Sequence, residues 1–209
     1  MNYGTKYGTS TLNDNIWEKI EKNINNKNLD WGNSTIYQNV DQISKHLNKP
    51  SLRDVTDDGG LLNTEIRKSK NCWLEDNDLA QSLFYEISYY NNGPSQWNLY
   101  ITHVEALQYG IYSEGDYFNW HIDQYPVLAE DKLTRKISAS IFLNDPDEYE
   151  GGELDLEVES PSDSPRYHSF KLPKRSIVLF QSDLWHRVRP ITSGVRKTLV
   201  VWFIGPPYT

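Results

Sequence analysis

Apolar and polar positions change their period part-way along the chain. Early on, Ile16, Ile20 and Ile24 recur every four residues with Trp17 beside them, behind the capping candidates Asn13 and Asp14. That spacing predicts a short amphipathic helix. Leu79, Ala80, Leu83, Phe84, Ile87 and Tyr90 form the face of a second helix, with Asp76 or Asn77 as its cap and Gly93-Pro94 as its end. Residues 26–62 are polar, with Asn-rich patches and Asp57-Asp58-Gly59-Gly60. They read as loops with one helix around 40–48. From Trp97 onward the period drops to two. Strands are predicted at 99–112, 117–123, 135–143, 152–158, 167–172, 175–180, 186–190 and 196–204. Turn signals such as Ser113-Glu114-Gly115, Asn144-Asp145-Pro146 and Ser193-Gly194 separate them.

Many short strands in succession imply a sandwich or barrel, and eight suit a jelly roll. The expected fold is mainly β with flanking helices (α+β): a double-stranded β-helix, or jelly-roll, core with the N-terminal helices packed outside. Neither a repeat nor a linker divides the chain. One domain over 1–209 is expected, with 1–96 as a helical support region and 97–209 as the catalytic core.

Charge and composition narrow the partners. Against 21 basic residues stand 29 acidic ones, a net charge of −8. With no run of Lys or Arg, no nucleic-acid partner is expected. A single cysteine, Cys72, allows no internal disulfide and fits a reducing compartment. Met1 to Asn13 holds no apolar run suited to a signal peptide. No stretch approaches the ~18 apolar residues of a membrane span. A soluble cytoplasmic protein, monomer or homodimer, is the expectation.

Two distant segments carry the candidate chemistry: His121-Ile122-Asp123, and His186 followed ten residues later by Arg196. On a strand, positions 121 and 123 share a face about 7 Å apart and can converge on one ion. Two histidines and one carboxylate with open positions match the facial triad of non-haem Fe(II) oxygenases. Arg196 opens the last strand, where Arg196, Thr198, Val200 and Trp202 share one face. A buried face that begins with Arg needs an anion, and a guanidinium holds a carboxylate through two parallel hydrogen bonds. Taken singly, such residues are usually bland: His46, His103 and His168 read as packing or surface residues. The acidic stretch Asp145 to Glu159 alternates Glu153, Asp155, Glu157 and Glu159 with Leu154, Leu156 and Val158. It reads as a half-buried strand with its charges in water rather than as a calcium site.

These residues resemble a known family, the prolyl 4-hydroxylase-like 2-oxoglutarate/Fe(II) dioxygenases. The resemblance runs from about Thr64 to Pro206. Arg67 to Trp73 is similar to the family's Arg-x-Ser…Trp segment. Tyr112-Ser113-Glu114-Gly115 leading to His121-Ile122-Asp123 is similar to its Tyr-x-x-Gly…His-x-Asp stretch. Gly151-Gly152-Glu153-Leu154 resembles the turn that follows. His186-Arg187-Val188 with Pro190, Gly194, Arg196 and Trp202 resembles the closing motif. Phe118 stands where many relatives carry Tyr, and Phe142 where some do.

The resemblance implies Fe(II) held by His121, Asp123 and His186, with 2-oxoglutarate as cosubstrate. Arg196 would pair with its far carboxylate, Tyr112 would add a hydroxyl, and Thr198 and Trp202 would line the pocket. Ascorbate is the implied reductant. Dioxygen and 2-oxoglutarate would be consumed, succinate and carbon dioxide released, and a substrate C–H hydroxylated. Asp123 favours hydroxylation, because relatives that halogenate lack this carboxylate. The expected substrate is a prolyl residue in a peptide or protein, as in procollagen-proline 4-hydroxylation. Arg67, Phe118, Trp185 and the loop 124–134 are candidates for its groove. Three readings stay open beside it. They are the same chemistry on a small metabolite, free amino acid or nucleobase, a non-enzymatic jelly-roll binding module, and a zinc hydrolase.

Overall fold

The computed structural model describes residues 5–34, 66–124, 133–157 and 166–207. In chain order they form β1 (Tyr7–Thr11), α1 (Asp14–Ile24), β2 (Gly32–Asn33), β3 (Arg67–Lys68), β4 (Lys70–Trp73), α2 (Asn77–Asn92), β5 (His103–Tyr112) and β6 (Tyr117–His121). Then follow β7 (Thr134–Phe142), β8 (Tyr149–Gly151), β9 (Leu154–Glu157), β10 (Tyr167–Phe170), β11 (Ser176–Gln181), β12 (His186–Val188), β13 (Ile191–Gly194) and β14 (Arg196–Gly205). A major sheet runs β1-β11-β7-β14-β5-β4-β2 and a minor sheet β10-β9-β12-β6-β3, with β8 and β13 paired separately. The architecture is the expected jelly roll, with open antiparallel sheets.

Period-2 alternation sorts the central strands onto two unlike faces. Ile137, Ala139 and Ile141 of β7 and Leu199, Val201 and Phe203 of β14 join one apolar cluster, together with Ile16, Trp17 and Ile20 of α1 and Leu79, Leu83 and Ile87 of α2. Each fully buried Ile, Leu, Val or Phe side chain of this cluster stabilises the fold by roughly 1.5–3 kcal/mol. The opposite face meets the minor sheet. There Tyr112, Phe142, Leu156, Val178, Phe180 and Val188 form a second cluster. Buried polar groups share this interior: Ser138, Ser140, Thr198 and Arg196. The helix-side core is therefore mostly apolar, its buried Asn91 bonded to the Leu99 backbone, and the candidate chemistry lies in the space between the sheets.

Both helices start where their caps predict. The Asn13 side chain accepts from the Ile16 N–H at 3.0 Å, and Asp76 from the Leu79 N–H at 2.9 Å. The end of α2 is Gly93, whose N–H reaches the Tyr89 carbonyl.

The N-terminal third departs from a purely helical support. β1 pairs with β11 along the edge of the major sheet, β4 extends that sheet beyond β5, and β3 edges the minor sheet. Several strand limits also shift. The strand expected at 152–158 is β9, beginning at Leu154, and a separate short β8 precedes it, with Gly151 and Gly152 at positive φ where the two part. The one expected at 186–190 ends at Val188, and chain pairing resumes in β13 after Pro190. The helix expected around 40–48 lies outside the described residues. Among the described residues, no helix is long and apolar enough to cross a membrane.

The acidic stretch needs a correction. Asp155 is fully buried rather than solvated. Its carboxylate accepts from Arg187 Nε and Arg189 Nε, each at 2.8 Å, and from the Ser169 hydroxyl at 2.6 Å. The strand alternates as expected, but arginines from β12 and just beyond it cover the charge.

Candidate functional site

His121 ends β6 and His186 begins β12, and the two stand opposite each other in the ladder. Asp123 lies beyond the strand end, so it reaches the histidines through a turn and not as a strand neighbour. Its N–H is held by the Ser182 carbonyl at 3.0 Å. Its oxygens lie 3.8 Å from His121 Nε2 and 3.4 Å from His186 Nε2. One ligand atom from each of the three residues falls within 4.8 Å of the others.

Backbone carbonyls orient both rings. His121 Nδ1 meets the Asn119 carbonyl at 2.7 Å, and His186 Nδ1 meets the Leu184 carbonyl at 2.9 Å. A carbonyl only accepts, so each Nδ1 carries the proton and each Nε2 presents a lone pair toward Asp123. This is how metal-binding histidines are commonly fixed by their surroundings. Burial, and then the neighbouring His186, hold His121 well below the usual imidazole range. Burial pushes the Asp123 carboxyl up, but the two imidazoles and Arg135 outweigh it and hold it well below the carboxylate range. Two imidazoles and a carboxylate make up the donor set an Fe(II) ion takes in a facial triad.

Arg196 is 1% exposed. Its Nε, Nη1 and Nη2 are all buried without a hydrogen-bond partner. The guanidinium sits 5.5 Å from the Tyr112 ring and 5.3 Å from the Phe142 ring. Burial draws it below its usual range, opposed by the Tyr112 and Tyr149 phenols. The Tyr149 hydroxyl interacts with it electrostatically yet stays outside hydrogen-bonding geometry, itself buried and unpartnered. A Cβ on Gly152, at φ +67°, would collide with Ile191 and sit 3.1 Å from Arg196 Cδ. Glycine therefore lets the turn close over the arginine stem. An unpaired buried cation is strongly unfavourable, so this geometry suits a bound carboxylate.

The ladder orders the rest of the interior. Phe180, Ser138 and Trp202 pair across β11, β7 and β14, followed by Val178, Ser140 and Val200, then Phe142 and Thr198. The Phe180 ring is 4.6 Å from His186, which sets the histidines near the Trp202 layer. Arg196, opposite Tyr112, lies at the other end of this face. In between, the Thr198 hydroxyl donates to the Ile141 carbonyl at 3.0 Å and lies 3.1 Å from Ser140 Oγ. Trp202 Nε1 is buried and unpartnered, with the Arg135 guanidinium 3.9 Å over its ring.

Of the residues suggested for a substrate groove, two stand against the triad. Phe118 stacks on His121 at 3.5 Å and 12°. Arg67 lies 4.6 Å over Phe118 and donates to Gln108 at 2.8 Å and Ser69 at 3.1 Å. Trp185 is not brought to them. It lines a pocket with Trp120 and Tyr167, side chains that neighbour the strand positions facing inward. Most of the loop 124–134 lies outside the described residues. Gln108, Tyr149 and Ser182 are contacts that sequence reasoning did not single out. Tyr149 had a signal, standing just before the Gly151-Gly152 turn.

Residues 107–204 match the 2OG-Fe(II) oxygenase superfamily. That stretch, just under half of the chain, is where its likeness to the prolyl hydroxylase-like 2OG-Fe(II) oxygenases lies. Curated relatives of this chain include PKHD-type hydroxylases from Xylella fastidiosa (strain 9a5c), 37% identical over 52% of this chain and 43% of theirs, and from Hyphomonas neptunium, 40% identical over 43% and 38%. The match spans less than half the length of these relatives. Among solved structures, a Trichoplax adhaerens prolyl hydroxylase in complex with a hypoxia inducible factor peptide fragment superposes with TM-score 0.60 at 17% identity, covering 96% of this chain and 84% of that one. The viral collagen prolyl hydroxylase of Paramecium Bursaria Chlorella virus-1 superposes with TM-score 0.59 at 16% identity, covering 97% of each. At these identities the likeness is one of fold.

Proposed function

We propose that this chain is a 2-oxoglutarate- and Fe(II)-dependent hydroxylase acting on a prolyl residue in a peptide or protein. One observation carries the reading. The interior that gathers His121, Asp123 and His186 also holds a fully buried guanidinium, Arg196, whose three nitrogens have no partner. A zinc hydrolase would use the three ligands but has no need of the arginine. Support for a polypeptide substrate comes from the peptide fragment in complex with the Trichoplax prolyl hydroxylase, a neighbour in fold.

In this reading His121 Nε2, Asp123 and His186 Nε2 hold the metal, and Arg196 receives the far carboxylate of 2-oxoglutarate. When bound there, the pair supplies the oxygen activation that yields succinate, carbon dioxide and a hydroxylated product. The chain's own residues set the conditions. The Asn119 and Leu184 carbonyls keep both Nδ1 atoms protonated and both Nε2 atoms free. Phe118 and Phe180 cover the imidazole faces and limit water access. Tyr112 and Phe142 wall the guanidinium, and Thr198, already donating to Ile141, offers its hydroxyl oxygen without swinging. Trp202 offers an unpartnered N–H, and Arg67 and Phe118 flank the triad where a substrate would lie. Ascorbate as reductant follows from the family resemblance.

The test is incubation with Fe(II), 2-oxoglutarate and a set of prolyl peptides, reading succinate release and the mass of each peptide. Gain of one oxygen at proline, matched to succinate, is the expected result. Turnover only with a free amino acid or another small molecule would contradict the prolyl assignment and leave the hydroxylase class standing.

A further inference from the structure

Beside the Arg196 guanidinium a second buried polar group is left unsatisfied: the Tyr149 hydroxyl, on a side chain only 3% exposed. The two residues share a packing contact. A Cβ placed on Gly152 would lie 3.1 Å from Arg196 Cδ and 3.3 Å from Tyr149 Cε2, so the arginine stem and the phenol ring rest on the same glycine. The hydroxyl interacts electrostatically with the guanidinium without hydrogen-bonding to it. The Tyr112 hydroxyl, which the sequence suggested for this place, is not among the unpartnered buried atoms of the described residues.

Tyr149 is held where it stands. β8 pairs with β13, which sets Tyr149 opposite Gly194. A Cβ on Gly194 would approach Tyr149 Cα to 2.9 Å, so the two strands close tightly here. Lys171 Nζ donates to the Tyr149 carbonyl at 2.7 Å and lies 4.7 Å over the ring. A residue fixed in this way at its backbone and over its ring loses little further freedom when its hydroxyl takes a partner. Burial pushes the phenol above its ordinary range, against the pull of Arg196, so the hydroxyl keeps its proton and can donate.

The chemistry of these two groups selects their partner. A guanidinium only donates, and a protonated phenol has one O–H to give. A carboxylate has two oxygens and about four lone-pair sites, so it can accept from the guanidinium fork and from a hydroxyl at once. We propose that the Tyr149 hydroxyl is a second donor to the far carboxylate of 2-oxoglutarate, closing a clamp whose charged half is Arg196. Tyr149 is then a cosubstrate-binding residue supplied by β8, outside the two large sheets that carry the triad and the arginine. A donor on a second element fixes the direction of the carboxylate as well as its charge. The inference rests on the Fe(II) and 2-oxoglutarate reading, and its test separates the two.

The experiment titrates 2-oxoglutarate into the full chain loaded with Mn(II), comparing the wild type with Tyr149→Phe by calorimetry. The expected result is binding weakened about tenfold or more in the variant, as for loss of a hydrogen bond to a charged group. Mn(II) affinity should be unchanged. The ligand-free variant should unfold at a temperature equal to or above that of the wild type, because no partner is lost with the hydroxyl. Ultraviolet difference absorption gives a second readout: 2-oxoglutarate should shift a tyrosine band to the red in the wild type, and the shift should be lost in Tyr149→Phe. Equal 2-oxoglutarate affinity in the two proteins would overturn the proposal. So would a weakened affinity accompanied by lower ligand-free stability and weaker Mn(II) binding, the mark of a purely structural tyrosine. Wild-type protein that holds Mn(II) but binds no 2-oxoglutarate removes the cosubstrate reading and this inference with it. Tight 2-oxoglutarate binding indifferent to Tyr149→Phe removes the role of the hydroxyl alone.

Discussion

Arg196 stands directly across the β14–β5 ladder from Tyr112, its guanidinium 5.5 Å from that ring and its nitrogens unpaired. The pair divides two duties. The ring walls the cation from other protein polar groups, and the cation is left for a ligand. Removing the arginine should then have opposite effects on binding and stability. Arg196→Met should weaken 2-oxoglutarate binding by about 2–5 kcal/mol, the range for losing one partner of a buried charge pair. Without cosubstrate the same variant should unfold at an equal or higher temperature, since an unpaired buried charge is gone. Calorimetric titration and thermal unfolding read the two effects. A marked loss of stability in the ligand-free protein would contradict the account.

Gly152 should tolerate no side chain. Its positive φ and the contacts to Ile191 and Arg196 make Gly152→Ala strained on two counts. A cost of about 1–3 kcal/mol is expected from the backbone alone. Displacement of the arginine stem should also weaken 2-oxoglutarate binding. Urea unfolding beside a cosubstrate titration checks both.

Phe118→Ala should loosen His121. The ring stacks at 3.5 Å on the imidazole and lies under the Arg67 guanidinium. Phe118 is only partly buried, so its loss should cost about 2 kcal/mol, below the range for fully buried Phe→Ala changes. The affinity for Mn(II), used as a spin probe for the site, should fall with it. Phe118→Tyr should keep both properties. Metal affinity unchanged in Phe118→Ala would refute the bracing role.

Much of this was legible in the sequence, and the misses have physical causes. The alternation of β7 and β14 is legible because both faces of each strand are constrained, one by the helices and one by the site. The triad is legible because His121 and Asp123 are one residue apart and His186 opens a late strand, although Asp123 comes to the histidines through a turn rather than along the strand. β1 is harder to see: Tyr7-Gly8-Thr9-Ser10-Thr11 is short and lies on an edge, so its outer positions are free to be polar. The burial of Asp155 is invisible locally, since Arg187 and Arg189 lie more than thirty residues away. The direction of Trp185 was available, because a strand neighbour of an inward His186 must point outward.

Asp155 gives a pH prediction. Burial pushes its carboxyl up, but hydrogen bonds from Arg189, Ser169 and Arg187 outweigh that and hold it below the usual carboxylate range. A lowered folded-state value means that its contribution to stability is complete above about pH 4, the unfolded value. That contribution is lost as pH falls through the lowered folded value. Asp155→Asn should destabilise the protein at pH 7 by about 3–5 kcal/mol, since two arginines lose their buried partner. It should also flatten the loss of stability on acidification below pH 4. Chemical unfolding across pH 2–7 measures both. An acid limb as steep as the wild type's would contradict the assignment.

The central claim is that His121, Asp123, His186 and Arg196 form one site for Fe(II) and 2-oxoglutarate. Its most direct test is anaerobic addition of 2-oxoglutarate to the Fe(II)-loaded protein, followed by visible absorption. The account predicts a weak charge-transfer band of the metal–cosubstrate chelate, absent in His186→Ala and requiring much higher 2-oxoglutarate in Arg196→Ala. No band in wild-type protein with iron bound, or a band indifferent to Arg196→Ala, would contradict it.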